Sequence, residues 1–171
     1  MARILPIQDS QGSPLVTGQV RKPVNGYNEY LGNMNAILGY SQVALDAYIR
    51  LYPLYAEVEK ILGKRLAALY AYTISMASEC TVCAAFFRKM IGTAHEHPHH
   101  ADLTDMERDL LEMGKCIVKY QRNINDRLFD RVSSRYSKAE MVTLVAFAGQ
   151  MIAAAVFNNV IETDIHENQP D

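Results

Sequence analysis

The sequence predicts an all-α fold of six or seven helices. Three observations predict it. Apolar residues recur at three- and four-residue steps over much of the chain. Two segments open with a hydroxyl residue followed three places later by a carboxylate, Thr104-Asp105-Met106-Glu107 and Ser137-Lys138-Ala139-Glu140, the reciprocal pattern that starts helices. No strand-like alternation of useful length occurs.

Residues 1 to 26 carry Pro6, Gly12, Pro14, Gly18, Pro23 and Gly26, and read as an extended N-terminal arm ahead of a helical domain over 27–171. Ser41 is a candidate cap for a helix through Val43, Leu45, Tyr48 and Leu51, which Pro53 should kink or break. Lys60 to Lys64, with Gly63, reads as a turn. Leu66 to Ala77 is apolar almost all round (Leu66, Ala67, Ala68, Leu69, Ala71, Ile74, Met76, Ala77) and should be buried on every side. A further helix should run from Cys80 to near Ile91, with Ser78 as its candidate cap, and lead into a His-rich loop from Gly92 to Ala101.

After Thr104 the stripe is Met106, Leu110, Met113 and Ile117; a short helix spans Asn125 to Val132. After Ser137 the stripe is Met141, Leu144/Val145, Ala148, Met151/Ile152 and Ala155/Val156. The methionines of these late helices are expected in the core. Ala146, Ala153, Ala154 and Phe157 lie off the last stripe, so part of that helix should be buried between subunits of a homo-oligomer.

With 171 residues, 49% of them hydrophobic, the chain can build one substantial core. A net charge of −2 carries no footprint for nucleic acid. The longest nearly apolar run, Leu144 to Phe157, is too short for a bilayer, and no signal peptide is evident. These features point to a soluble, cytoplasmic protein. Three cysteines, Cys80, Cys83 and Cys116, are too few for a secreted disulfide framework.

Cys80 and Cys83 form a C-x-x-C pair in Ser78-Glu79-Cys80-Thr81-Val82-Cys83. At a helix start the first thiol would lie near free backbone N–H groups, which favour the thiolate, and the second would be placed to resolve a mixed disulfide. Glu79 beside the pair opposes a low thiol pKa unless it points away or carries protons. Two other readings stand beside the redox pair: half of a zinc site, for which two more ligands are needed, and two small buried hydrophobes. Cys116, next to the apolar stripe of its helix, reads as a buried structural thiol.

The apolar helix, the small turn and the C-x-x-C that opens the next helix resemble the AhpD-like group, or carboxymuconolactone decarboxylase family. The resemblance spans roughly residues 30 to 165 and includes Ser41 to Val58, Arg65-Leu66-Ala67-Ala68-Leu69, Thr104 to Glu107, Tyr136 to Glu140, and Ala146 to Asn159 with its Phe157-Asn158-Asn159 ending. It implies an oligomeric helical bundle. It also implies an alkylhydroperoxidase or disulfide reductase in which Cys80 and Cys83 are the redox pair. Such an enzyme needs no metal or organic cofactor, acts on a small peroxide or disulfide, and is recharged by a dithiol reductant or a partner redox protein. Other branches imply a redox-silent decarboxylase-like enzyme; a non-enzymatic disulfide sensor is a third reading.

The chain departs from the family pattern where a proton relay would sit. Phe87 stands in place of a histidine four residues after Cys83, Ala68 in place of a glutamate twelve residues before Cys80, and Val82 in the middle of the motif. Glu79, Tyr72 and His95 are candidate replacements; Phe86, Phe87, Tyr70 and Tyr72 are candidate linings of an apolar pocket. The cluster His95 to His100 is a weak candidate for a transition metal.

Overall fold

A computed structural model of the chain describes residues 2–7, 32–92, 103–120 and 123–163. Among them the regular elements are seven helices: α1 (Gly32–Leu38), α2 (Gln42–Ile49), α3 (Pro53–Ala77), α4 (Thr81–Gly92), α5 (Asp105–Tyr120), α6 (Asp126–Ser133) and α7 (Lys138–Ile161). The all-α expectation holds. Most of the arm and the whole histidine cluster, His95 included, lie outside the described residues.

The chain divides into two units, Met1–Pro53 with Asn158–Asp171, and Leu54–Phe157. In the first, Ser41 caps α2 by accepting from the Ala44 amide at 3.4 Å. Leu45 is buried, but Val43 is 81% exposed and does not belong to the core stripe. A helix of eight residues buries one narrow face, and Leu45 occupies it. Asn35, also buried, accepts a hydrogen bond from the Tyr52 hydroxyl. Arg3 closes the far end of α7: its amide donates to the Ile161 carbonyl at 2.8 Å, and its guanidinium meets the Val160 carbonyl and the Glu162 carboxylate. A cation on the last carbonyls of a helix satisfies acceptors that have no partner inside it.

The second unit holds the cysteine pair. The expected break falls just ahead of Pro53: α2 ends at Ile49, and Pro53 is the first residue of α3, where its missing N–H costs no helical bond. Gly63 interrupts α3 with φ 75° and ψ 157°, a conformation that favours glycine, so the expected turn is a break within one long element. Beyond it Leu66, Ala67, Ala68, Leu69, Tyr70, Ala71, Ile74 and Ser75 are buried. Met76 is the exception at 50% exposure, so the helix is not enclosed on every side.

Helix α5 packs on this segment at Gly114, where an added Cβ would lie 2.8 Å from Tyr70 Cε2 and 3.3 Å from Ile74 Cγ1. Its buried stripe is Leu110, Leu111, Met113, Gly114 and Ile117. Met106, the first methionine of the expected stripe, is 37% exposed because it lies in the opening turn. Arg131 of α6 clasps Asp109 of α5 with two bonds of 2.7 Å. Both capping boxes form as expected, at Thr104/Glu107 and Ser137/Glu140.

Helix α7 buries Met141, Leu144, Phe147, Ala148, Met151 and Ala155, a stripe of helical period. Val145 and Val156, expected on that stripe, are exposed at 42% and 58%, and Val142 and Ala146 are exposed too. The helix is also longer than the apolar run counted in the sequence: its 24 residues are long and apolar enough, by length and composition, to cross a membrane. Its buried stripe within the unit is that of a core helix.

Candidate functional site: the Cys80–Cys83 turn

The site is built by the way one helix stops and the next begins. Three hydrogen bonds end α3. The Ser78 amide donates to the Ile74 carbonyl at 2.9 Å, Glu79 to Met76 at 3.1 Å, and Cys80 to Ser75 at 3.0 Å. The last two make the Schellman arrangement, which requires a left-handed residue between them. That residue is Glu79, with φ 54°. Glycine is the usual occupant; a glutamate there carries a backbone cost of about 1–2 kcal/mol. Its side chain is exposed.

Cys80 is therefore both the second residue after the C-cap of α3, which is Ser78, and the residue before the first turn of α4. Its carbonyl accepts from the Ala84 amide at 2.9 Å, and its Sγ accepts from the Cys83 amide at 3.2 Å. A side chain accepting from the third residue of a helix is an N-cap. The cap expected at Ser78 is thus supplied by the cysteine, because the left-handed Glu79 turns the chain before α4 can begin. The same turn separates Tyr72 from the pair: α3 does not continue across, so Tyr72 does not share a helix face with Cys80.

Cys80 and Cys83 are joined by a disulfide, with Cα atoms 5.3 Å apart. Both are buried, Cys80 at 1% exposure and Cys83 at 8%. The sulfur of Cys80 sits at the N-terminus of α4, where it accepts from the Cys83 amide and backbone amides carry partial positive charge. Those partial positive charges stabilise a thiolate there when the bond is open.

One turn beyond Cys83, Phe87 is 1% exposed and stacks edge-on against Phe86 with centroids 4.8 Å apart. Tyr55 lies 5.7 Å from Phe87 on one side and 5.7 Å from Phe147 on the other. Tyr70 follows, 6.3 Å from Phe147, its hydroxyl donating to the Leu144 carbonyl at 3.3 Å. Phe86, Phe87 and Tyr70 are thus buried core aromatics. Ala68 is 4% exposed in the same core. An ionised histidine at 87 or glutamate at 68 would have to be desolvated there.

Tyr55 and Glu59 carried no signal in the sequence, since nothing in a 32-residue separation ties Tyr55 to Phe87. Burial, then the Glu59 carboxylate that its hydroxyl bonds, push the Tyr55 phenol well above the ordinary tyrosine range. This phenol stays protonated. It is also directed away from the pair, 4.0 Å from Met90 Sδ. Met90 is seven residues past Cys83, about 10 Å along a helix at 1.5 Å per residue, so Tyr55 is not a base for the thiols.

Cys116 is not the buried thiol expected. It is half-exposed on α5, 3.9 Å from Glu112 Oε1, and partial burial followed by that carboxylate raises its pKa. Among the described residues no group of three or more His, Cys, Asp or Glu side chains is placed to hold a metal ion.

No protein-family model and no curated protein matches the chain. Among solved structures, the apo form of the debrominase Bmp8 superposes with a TM-score of 0.75 at 17% identity, over 96% of this chain and 92% of its own. A cysteine-to-alanine variant of the same debrominase, in complex with 2,3,4-tribromopyrrole, gives 0.78 at 18% identity, over 96% of this chain and 91% of its own. At that identity the likeness establishes the all-helical fold.

Proposed function

We propose that the chain is a two-cysteine oxidoreductase that reduces a small electrophilic substrate. The observation that carries this reading is the Cys80–Cys83 disulfide within one turn at the start of α4, with Cys80 as the N-cap. In the reduced protein Cys80 is the nucleophile, because its sulfur lies at the helix N-terminus and accepts from the Cys83 amide. Cys83 is the resolving thiol.

With a hydroperoxide the Cys80 thiolate attacks the outer oxygen and the O–O bond breaks. Cys80 becomes a sulfenic acid, and the alcohol leaves after taking a proton. The Cys83 thiol then condenses with it, water leaves, and the disulfide remains. A dithiol reductant reopens the pair. No metal or organic cofactor enters this cycle. In the same reading the exposed Glu79 carboxylate, next to Cys80, carries protons to and from solvent.

The resemblance to a debrominase favours a second substrate class, a brominated aromatic. Here the thiolate takes bromine from carbon, the ring carbon takes a proton, and Cys83 displaces bromide to give the same disulfide. The overall balance is one aryl bromide and two thiols to one arene, one disulfide and hydrogen bromide. Phe87 at the position of the family's histidine supports either substrate over a fast histidine-assisted peroxidase.

The test supplies dithiothreitol with cumene hydroperoxide or 2,3,4-tribromopyrrole, and compares wild type with Cys80→Ser and Cys83→Ser. Loss of turnover in both variants is expected, and the substrate consumed names the class. Equal rates in all three proteins sink the proposal. Turnover that survives thiol alkylation supports the redox-silent decarboxylase-like alternative instead. Self-association belongs to the same reading and is supported by the exposed Val142, Val145 and Val156 of α7. Sedimentation of wild type against Val145→Asp tests it.

A further inference from the structure

Helix α7 buries one stripe in its own unit and leaves the opposite face uncovered. At 3.6 residues per turn, Val142, Val145, Ala146, Ile152, Ala153 and Val156 all lie within roughly 60° of Gly149 around the helix. Val142, Val145 and Val156 are 69%, 42% and 58% exposed. Ala146, Gly149 and Ala153 are exposed as well, and Ile152 is half-buried. At the centre of this face, nothing lies within 4 Å of the Cβ that Gly149 would carry.

The face is apolar without interruption. From Val142 to Val156 it covers about four turns, roughly 21 Å. No Asp, Glu, Lys, Arg or His occurs from Met141 to Ile161. Such a face holds no charge with which to select an unlike partner or reject a wrong one. Its residue pattern instead fits a second copy of itself.

We infer that α7 pairs with α7 of a second copy, antiparallel, about a two-fold axis at Gly149. This rests on the self-association proposed above and adds the face, the direction and the register. Turned end for end about Gly149, the second helix sets its Val156 level with Val142, its Ile152 with Val145 and its Ala153 with Ala146. The branched side chains then stack along one edge of the seam and the alanines along the other, and the two glycines meet at the axis. Each copy supplies both halves of every contact, as a two-fold interface requires.

Charge decides the direction. Lys138 is exposed, eleven residues before Gly149 and on the same face. A parallel pair would place the two Lys138 ammonium groups side by side and align the two helix dipoles, both unfavourable. The antiparallel pair sends the lysines to opposite ends of the seam, about 33 Å apart along the helix axis, and opposes the dipoles.

The experiment uses the full-length oxidised protein with Cys116→Ser, so that the Cys80–Cys83 disulfide leaves no other thiol. Val142→Cys and Val156→Cys are made separately and also co-expressed, and each preparation is treated with a short bismaleimide. A covalent dimer is expected from the co-expressed pair, joined between position 142 of one copy and position 156 of the other. Neither variant alone should link, because its two thiols lie about 21 Å apart along the axis. Efficient linking of Val142→Cys to itself means a parallel or shifted pairing and overturns the inference. No linking while sedimentation still shows an oligomer overturns it too, and leaves the self-association standing on another surface. A monomeric protein, whose α7 face is then left to lipid or to an unlike protein, overturns both.

Discussion

The amide of Cys80 donates to the carbonyl of Ser75 at 3.0 Å, so the residue that caps α4 is hydrogen-bonded to the last turn of α3. The bond forms only because Glu79 between them holds φ 54°. The position of the thiols is therefore set by backbone geometry at an exposed glutamate.

Glu79→Gly separates the backbone of this residue from its carboxylate. Glycine adopts the left-handed conformation freely, although it also gains freedom in the unfolded chain. The expected net effect is stabilisation by about 0.5–1 kcal/mol, read as a higher midpoint in urea. Glu79→Gln keeps the backbone and removes the charge; if the carboxylate carries protons, this variant slows turnover without moving the midpoint. A Glu79→Val variant, β-branched in a left-handed position, should unfold at markedly lower urea.

The reactive thiol should be Cys80, and its titration should show it. Alkylation of the reduced protein against pH is expected to place the Cys80 midpoint below the ordinary thiol value of about 8.5. Cys83→Ser leaves the N-cap sulfur in place and should preserve that low midpoint. A midpoint at or above the ordinary value would return the pair to the reading of two buried small hydrophobes.

Gly114 is the point where α5 meets α3. A side chain there has no room: its Cβ would stand 2.8 Å from Tyr70 Cε2, on a ring that is fully buried. Gly114→Val should cost about 1–3 kcal/mol by overpacking, more than the helix gains from losing a glycine. Gly149 gives the internal control, since nothing lies within 4 Å of the Cβ it would carry. Gly149→Ala should be neutral or stabilising in the same denaturation assay.

The start of α5 should make stability fall in acid. The Thr104 amide donates to Glu107 Oε2 at 2.8 Å, the Thr104 hydroxyl to the same oxygen at 3.0 Å, and Arg65 to Oε1 at 2.9 Å. The Thr104 amide, and then the hydroxyl and Arg65, hold the Glu107 carboxyl below its ordinary value of 4.5. A carboxyl depressed in the folded state contributes stability that is full above the unfolded value and is lost as pH falls through the folded one. Urea midpoints should therefore drop below about pH 4.5. Thr104→Ala, at a cost of about 1 kcal/mol, should flatten that part of the profile.

Much of the helical frame was legible in the residues. Capping boxes are local, so Thr104/Glu107 and Ser137/Glu140 could be read directly, as could the cap at Ser41 and the break at Gly63. Helix period alone could not say which apolar residues face inward. Val43, Met76, Met106, Val145 and Val156 all look like core and are exposed, because a stripe has two plausible edges and only the neighbour decides between them. The aromatic core was hidden for the same reason: Tyr55, Phe87 and Phe147 are far apart in sequence and meet only in space.

The cysteine pair shows where that boundary runs. Residue types and spacing alone marked Cys80 and Cys83 as a possible redox couple at a helix start, since reactivity of a C-x-x-C depends on chemistry one turn long. They did not reveal that Cys80 is itself the cap or that Glu79 is left-handed. Those facts depend on how α3 stops against α4 and on what packs over them. Hydrogen bonds and burial of that kind belong to the assembled chain rather than to any short segment of it.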